Sequence, residues 1–201
     1  MRLLALELSS SRGSIAFTDA KNERFTAEFA NDRKHSGLFF TNLERCVDEC
    51  GAPERIVVGL GPGSYAGTRI AIAAAVGLSA ATCAQLLGLP SICALRTSAP
   101  EYAVLGDARR QSFFFARVQQ RQLTEAPDLW TERELQARLR ALTIPIFTTE
   151  PLPSFPEAEV LQPSAGILAA MAGGAFPEIT TTALEPIYLR EPHITQPKAA
   201  R

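Results

Sequence analysis

Between Arg69 and Arg96 no residue carries a charge. A run of this length admits two structures: a membrane span, or elements buried in a protein core. Ile70 to Leu89 is long enough to span, but it is rich in Ala and Gly rather than Leu and Phe. It also contains Gln85 and closes on Gly88-Leu89-Pro90, and it lacks the aromatic and basic flanks that anchor a span. The run therefore reads as a helix from about Ala66 to Leu87, buried on all sides, followed by a strand from Ser91 to Leu95. Small residues recur around this helix at Ala71, Ala73, Ala74, Ala75, Gly77, Ala80, Ala81 and Ala84. With no polar face for water, one side packs inside the monomer and a second is expected to meet a partner.

The rest of the composition suits a folded, water-soluble α/β chain. Hydrophobic residues make up 46% of 201 residues and charged residues 20%. The 20 basic and 21 acidic side chains give a net charge of -1. That excludes the basic surplus of a protein that holds tRNA unaided. The opening apolar run meets Glu7 too soon for a signal peptide, so the expected compartment is the cytoplasm. Cys46, Cys50, Cys83 and Cys93 form no C-x-x-C pair and are read as structural thiols.

Strands are expected at Arg2–Leu8, Ser14–Thr18 and Glu23–Phe29, the last with Phe25, Ala27 and Phe29 on one face. Ser36 is placed to cap a helix to Cys50, with Phe39, Leu43, Cys46, Val47 and Cys50 as its apolar stripe. Gly51 and Pro53 stop it, and a strand follows over Arg55–Leu60. The order βββαβα differs from the βαβαβ of a dinucleotide-binding half. The second half is thinner. It shows strands at Glu101–Gly106, Ser112–Val118 and Ile144–Thr148, and a helix over Thr131–Leu142 with a Thr131/Glu134 capping box. A last helix, capped by Ser164, runs through Met171. The expected organisation is an N-terminal lobe over residues 1–98, a smaller lobe over 99–190 and a disordered tail over 191–201.

Gly61-Pro62-Gly63-Ser64-Tyr65-Ala66 matches G-x-G-x-x-A between a strand and a helix. The acid needed about 20 residues on to hold a ribose is missing, since Glu101 is the next one. No Lys-Ser or Lys-Thr follows, so the loop is not a Walker A motif. Ser64 lacks the flanking glycines of a nucleophile elbow, and only His35 and His193 could serve as imidazole bases. The loop reads as a glycine turn that lets two backbones cross closely, with a helix N-terminus behind it that could attract an anion. Two distant histidines and no Cys cluster give no metal set. Glu7, ahead of Ser9-Ser10-Ser11, is read as a solvated or capping carboxylate.

Together these residues resemble the TsaB (YeaZ) family. The segment Gly61-Pro62-Gly63-Ser64-Tyr65-Ala66-Gly67-Thr68-Arg69-Ile70 is similar to that family's GPGS-[FY]-TG-LRIG. Leu6-Glu7-Leu8-Ser9-Ser10, His35-Ser36, Asp107-Ala108-Arg109-Arg110 and Pro186-Ile187-Tyr188-Leu189-Arg190 follow its other signatures in order. The resemblance implies an actin/Hsp70/sugar-kinase-like (ASKHA, ribonuclease H-like) fold of two lobes, the second abbreviated. It implies a non-catalytic subunit that binds a TsaD-like paralogue and, with a TsaE-like ATPase, serves threonylcarbamoylation of tRNA adenosine (t6A). Contact with tRNA is indirect, there is no membrane, and a homodimer is expected in isolation. No cofactor is expected on this chain alone, and ATP or ADP would sit at a complex interface. No catalytic residue or metal is implied. The partner interface would use Phe39, Leu43, Ile70, Ala73, Ala74, Gly77 and Ala81. The family loop is Gly61, Pro62, Gly63, Ser64, Tyr65, Gly67 and Arg69, and a vestigial phosphate or metal position falls at Glu7, Ser9 and Ser10. Glu7, Ala66, Thr68 and Ala71 depart from the family pattern, which has Asp, Thr, Leu and Gly at these places. The alternative is a nucleotide-binding ASKHA ATPase or kinase-like protein, which needs a competent metal acid.

Overall fold

The computed structural model describes residues 1–20, 22–31, 37–174 and 184–190. Strands β1 (Arg2–Glu7), β2 (Arg12–Asp19) and β3 (Asn22–Ala30) form an antiparallel meander. Helix α1 (Gly37–Cys50) leads to β4 (Arg55–Gly59), and α2 (Tyr65–Thr82) leads to β5 (Gln85–Leu89). Both strands lie parallel to β1, giving a sheet of order β3-β2-β1-β4-β5. Every side chain of β1 from Leu3 to Glu7 is buried. Leu4 and Leu6 face α1 and α2, while Leu3 and Ala5 face the other way. This is why β1 reads as a continuous apolar run rather than an alternating one.

The second sheet repeats that order. Strands β6 (Glu101–Asp107), β7 (Ser112–Gln119) and β8 (Gln122–Thr131) form a meander. Helix α3 (Glu132–Leu139) follows, and β9 (Ile146–Thr148) and β10 (Glu159–Val160) run parallel to β6. The order is β8-β7-β6-β9-β10, the first lobe's arrangement over again. The last two strands are short, and a proline-rich loop stands where the first lobe has α2. This duplicated βββαβ pattern is an actin-like fold with an abbreviated second lobe. The Thr131/Glu134 capping box forms in full.

Several expected elements differ. The uncharged run breaks earlier than its apolar character suggests. Helix α2 ends at Thr82, where Cys83 adopts a left-handed φ of 57°, and β5 then begins at Gln85. Ser91–Ala94 is a short 3-10 turn, not a strand. The long β8 has no counterpart in the sequence reading, because Glu125, Pro127 and Asp128 resemble loop residues; it is the sheet's edge strand, where Pro is tolerated. Ser164 stands at the N-cap of α4 (Ala165–Ala172) but its side chain makes no capping bond. Instead the Ala165 N–H donates to Ser14 Oγ at 2.9 Å. Helix α4, which falls within residues 99–190, packs on β1, β2 and β4 of the first sheet. One core thus joins the lobes: Leu3, Ala5 and Val57, Tyr102, Val104 and Phe114, and Leu168 and Met171 share it. Cys46 and Cys93 are buried thiols pushed up to about 12 by burial, whereas Cys83 is exposed and packs no core. Ser36, His35, His193 and the tail over 191–201 lie outside the described residues. Among the described residues no helix is long and apolar enough to cross a membrane.

Candidate functional site: the interlobe cleft and the α1–α2 face

Four of the sequence motifs meet in one cleft of about 710 Å³ between the lobes. Ser9 and Ser10, Ser64 and Tyr65, Asp107 and Arg109, and residues 186–190 all line it. The first-lobe wall is built by two backbones crossing at close range. The Ser64 N–H donates to Ser9 O at 2.6 Å. A Cβ on Gly63 would strike Ser9 O, and one on Gly67 would strike Leu8 O. Gly61 takes a φ of +89°, which disfavours any side chain. Its N–H donates to Ser91 Oγ at 2.9 Å, and its carbonyl accepts the Ser91 N–H at 2.8 Å. Asn31 completes the wall, its Nδ2 donating to Leu8 O and Ser10 O at 2.9 and 2.7 Å. The glycines of the loop are therefore placed for backbone packing. The Ser64 amide is spent on Ser9, and the Gly67 amide on Ser64 Oγ at 3.2 Å. Two of the donors that an anion would use at this helix N-terminus are thus committed.

Glu7 is not solvated. It is fully buried, with Oε1 accepting the Ser9 N–H at 2.6 Å and Oε2 lacking a partner. It fills the space left by Gly59, whose Cβ would land on the carboxylate. Burial outweighs the lowering effect of the neighbouring Ser9 and Ser91 and holds the carboxyl above its ordinary 4.5. Buried against the end of β4 and not lining the cleft, the Glu7 carboxyl is out of reach of an ion held there, so these residues do not fit a metal at the end of β1. Among the described residues no three His, Cys, Asp or Glu side chains cluster as ligands. Ser10 Oγ is engaged locally, donating to Arg12 O at 2.9 Å, while Ser9 Oγ is buried without a partner.

The raised value has a sign that can be tested. A carboxyl that keeps its proton more tightly when folded contributes stability in full below 4.5 and loses it as pH rises through the folded pKa. Glu7→Gln should therefore match the wild type in acid, show a flatter pH dependence, and become the more stable protein at mildly alkaline pH. Urea unfolding across pH checks this; equal slopes would place Glu7 in solvent.

The interface residues expected from the sequence divide by exposure. Ala73, Gly77 and Ala81 are exposed on α2, in line with Tyr65, Val76 and Ala80. Ile70, Ala74 and Leu43 are half-buried and pack against the first-lobe core. Phe39 is 1% exposed and belongs to that core, so it cannot touch a partner. Its helix presents Leu38 and Phe40 instead, each 49% exposed. One-position errors of this kind arise because the α1 stripe is Leu-Phe-Phe, apolar on both sides of Phe39. Nor is α2 buried all round: only Gly67, Thr68, Ala71 and Ala75 are fully covered. Arg69 lies over the Tyr65 ring at 5.1 Å and donates to its hydroxyl at 2.9 Å.

Asp107 and Arg109 were in view as a motif but not as site residues. Asp107 ends β6 as Glu7 ends β1, an equivalence visible only once the strand order repeats. Unlike Glu7 it faces the cleft, where its carboxylate accepts from the Arg109 N–H and guanidinium, both at 2.7 Å. Asn31, Gly59 and the cleft-lining Glu150 carried no sequence signal.

The sheets and the cleft between them define a two-lobed actin-like protein. A family model described as TsaD, tRNA N6-adenosine threonylcarbamoyltransferase, matches residues 29–136, more than half of the chain. The chain belongs to this family, and is a YeaZ-like, t6A-related member of it. Its fold matches YeaZ from Pseudomonas aeruginosa with a TM-score of 0.70 and 24% identity, over 94% of this chain and 99% of that one. A second crystal structure, described as a protein similar to peptidase YeaZ from Pseudomonas aeruginosa, gives a TM-score of 0.72 at 24% identity over the same shares. No curated protein gives a significant match.

Proposed function

We propose that this chain is a non-catalytic partner subunit that binds and stabilises a TsaD-like transferase in threonylcarbamoylation of tRNA adenosine. The observation that carries this reading is the exposed face of α2. Ala73, Val76, Gly77, Ala80 and Ala81 turn an uncharged, small-residue surface to solvent in a water-soluble fold. Such a surface lets a second helix approach closely and is costly to leave wet. Leu38 and Phe40 extend apolar surface on α1, which packs on the same side of the sheet. In isolation a second copy would occupy this face as a homodimer. A TsaE-like ATPase would join the assembly, ATP or ADP would sit at a subunit interface, and the transferase would supply most tRNA contacts. The compartment would be the cytoplasm.

The rival, an actin-like ATPase, needs a carboxylate at the end of β1 that reaches the cleft, and buried Glu7 argues against it. The docking surface is tested by Ala73→Arg, which adds charge at an exposed helical position without touching the core. The variant should melt like the wild type and lose at least 100-fold in affinity for the TsaD-like paralogue of its own genome, measured by titration calorimetry. Unchanged affinity would remove α2 from the interface.

A further inference from the structure

We infer that residues 184–190 act as a strap that ties the two lobes together and sets the width of the cleft between them. The segment's contacts pass from the first lobe to the second. Leu184 packs on the first-lobe core. The Ile187 N–H donates to Leu60 O at 2.9 Å, just after β4. Tyr188 lays its ring 5.7 Å from that of Tyr65, at the start of α2. Leu189 then packs against the core shared by both lobes. Arg190 donates to Ser112 Oγ, the first residue of β7 in the second lobe. Five successive residues, 186–190, form part of the cleft wall.

The first lobe is held by a backbone bond and an aromatic pair, the second by a charged donor. The strap therefore resists any rotation that opens the cleft, in parallel with the shared core. Tyr65 also stands at the head of the exposed α2 row and is 52% exposed. Pulling Tyr65 aside would break its ring contact with Tyr188. This inference does not depend on the proposed function.

Hydrogen exchange of the full chain tests it. Arg190 is exposed and hydrogen-bonds Ser112 of the second lobe, so Arg190→Ala removes that anchor without opening a core. If the segment is a strap, exchange should speed on the order of tenfold at the Ile187 amide and at the first-lobe loop amides of Gly61 and Ser64, as well as at residues 108–112. Amides within β1 and β6 should be unaffected, and Arg190→Lys, which keeps a donor, should restore much of the protection. Faster exchange confined to residues 108–112 would make Arg190 a local contact and overturn the strap. So would a uniform rise that includes β1 and β6, which reports general loss of stability.

Discussion

Phe39→Ala should cost about 3–5 kcal/mol of folding stability, the range for deleting a buried aromatic ring. The ring is buried among the first-lobe core residues, 5.0 Å from Phe40 in an edge-on arrangement and 6.3 Å from Phe29. Its removal leaves a cavity between α1 and the sheet that the fixed strands cannot close. Phe40→Ala, one position along and half exposed, should change stability by under about 1 kcal/mol. Urea unfolding of both variants separates core from surface on this helix. Similar losses in the two would mean that α1 is rotated from the orientation described.

Glycine substitutions in α2 should have opposite signs. Gly→Ala inside a helix ordinarily gains about 1 kcal/mol through backbone entropy. At Gly77 nothing lies near an added Cβ, so Gly77→Ala should follow that rule. At Gly67 the Cβ meets the Leu8 carbonyl, and backbone cannot swing away as a side chain would. Gly67→Ala should cost about 3 kcal/mol despite the helical gain, as overpacking does. Stabilisation at both positions, read from denaturant midpoints, would refute the backbone crossing that builds the first-lobe wall of the cleft.

Much of this architecture was legible because local signals agreed with the final packing. The opening meander, the Gly51 stop after α1 and the Thr131/Glu134 box each rest on short-range chemistry, and each is found. What failed was decided at longer range. Gln85 to Leu89 is apolar enough to continue α2, and only its parallel register with Arg55 to Gly59 makes it a strand. Glu7 reads as a surface acid, because nothing beside it in the chain says that Gly59 and Ser91, far along the sequence, leave a buried slot for it. The cleft was present in the sequence as separate motifs. The fold gathers them, and it adds Asp107 through a lobe repeat that strand order preserves and residue identity does not.

The central claim is that this chain assists a transferase and performs no transfer itself. Its most direct test is a reconstituted reaction containing tRNA, threonylcarbamoyl donor, ATP, the TsaD-like and TsaE-like subunits, and this chain. Modified adenosine is counted by nucleoside mass spectrometry. The account predicts no product from the chain alone, at least tenfold more product when wild-type chain joins the other subunits, and no such gain from Ala73→Arg. Product formed by the chain alone, or a full rate in its absence, would contradict it.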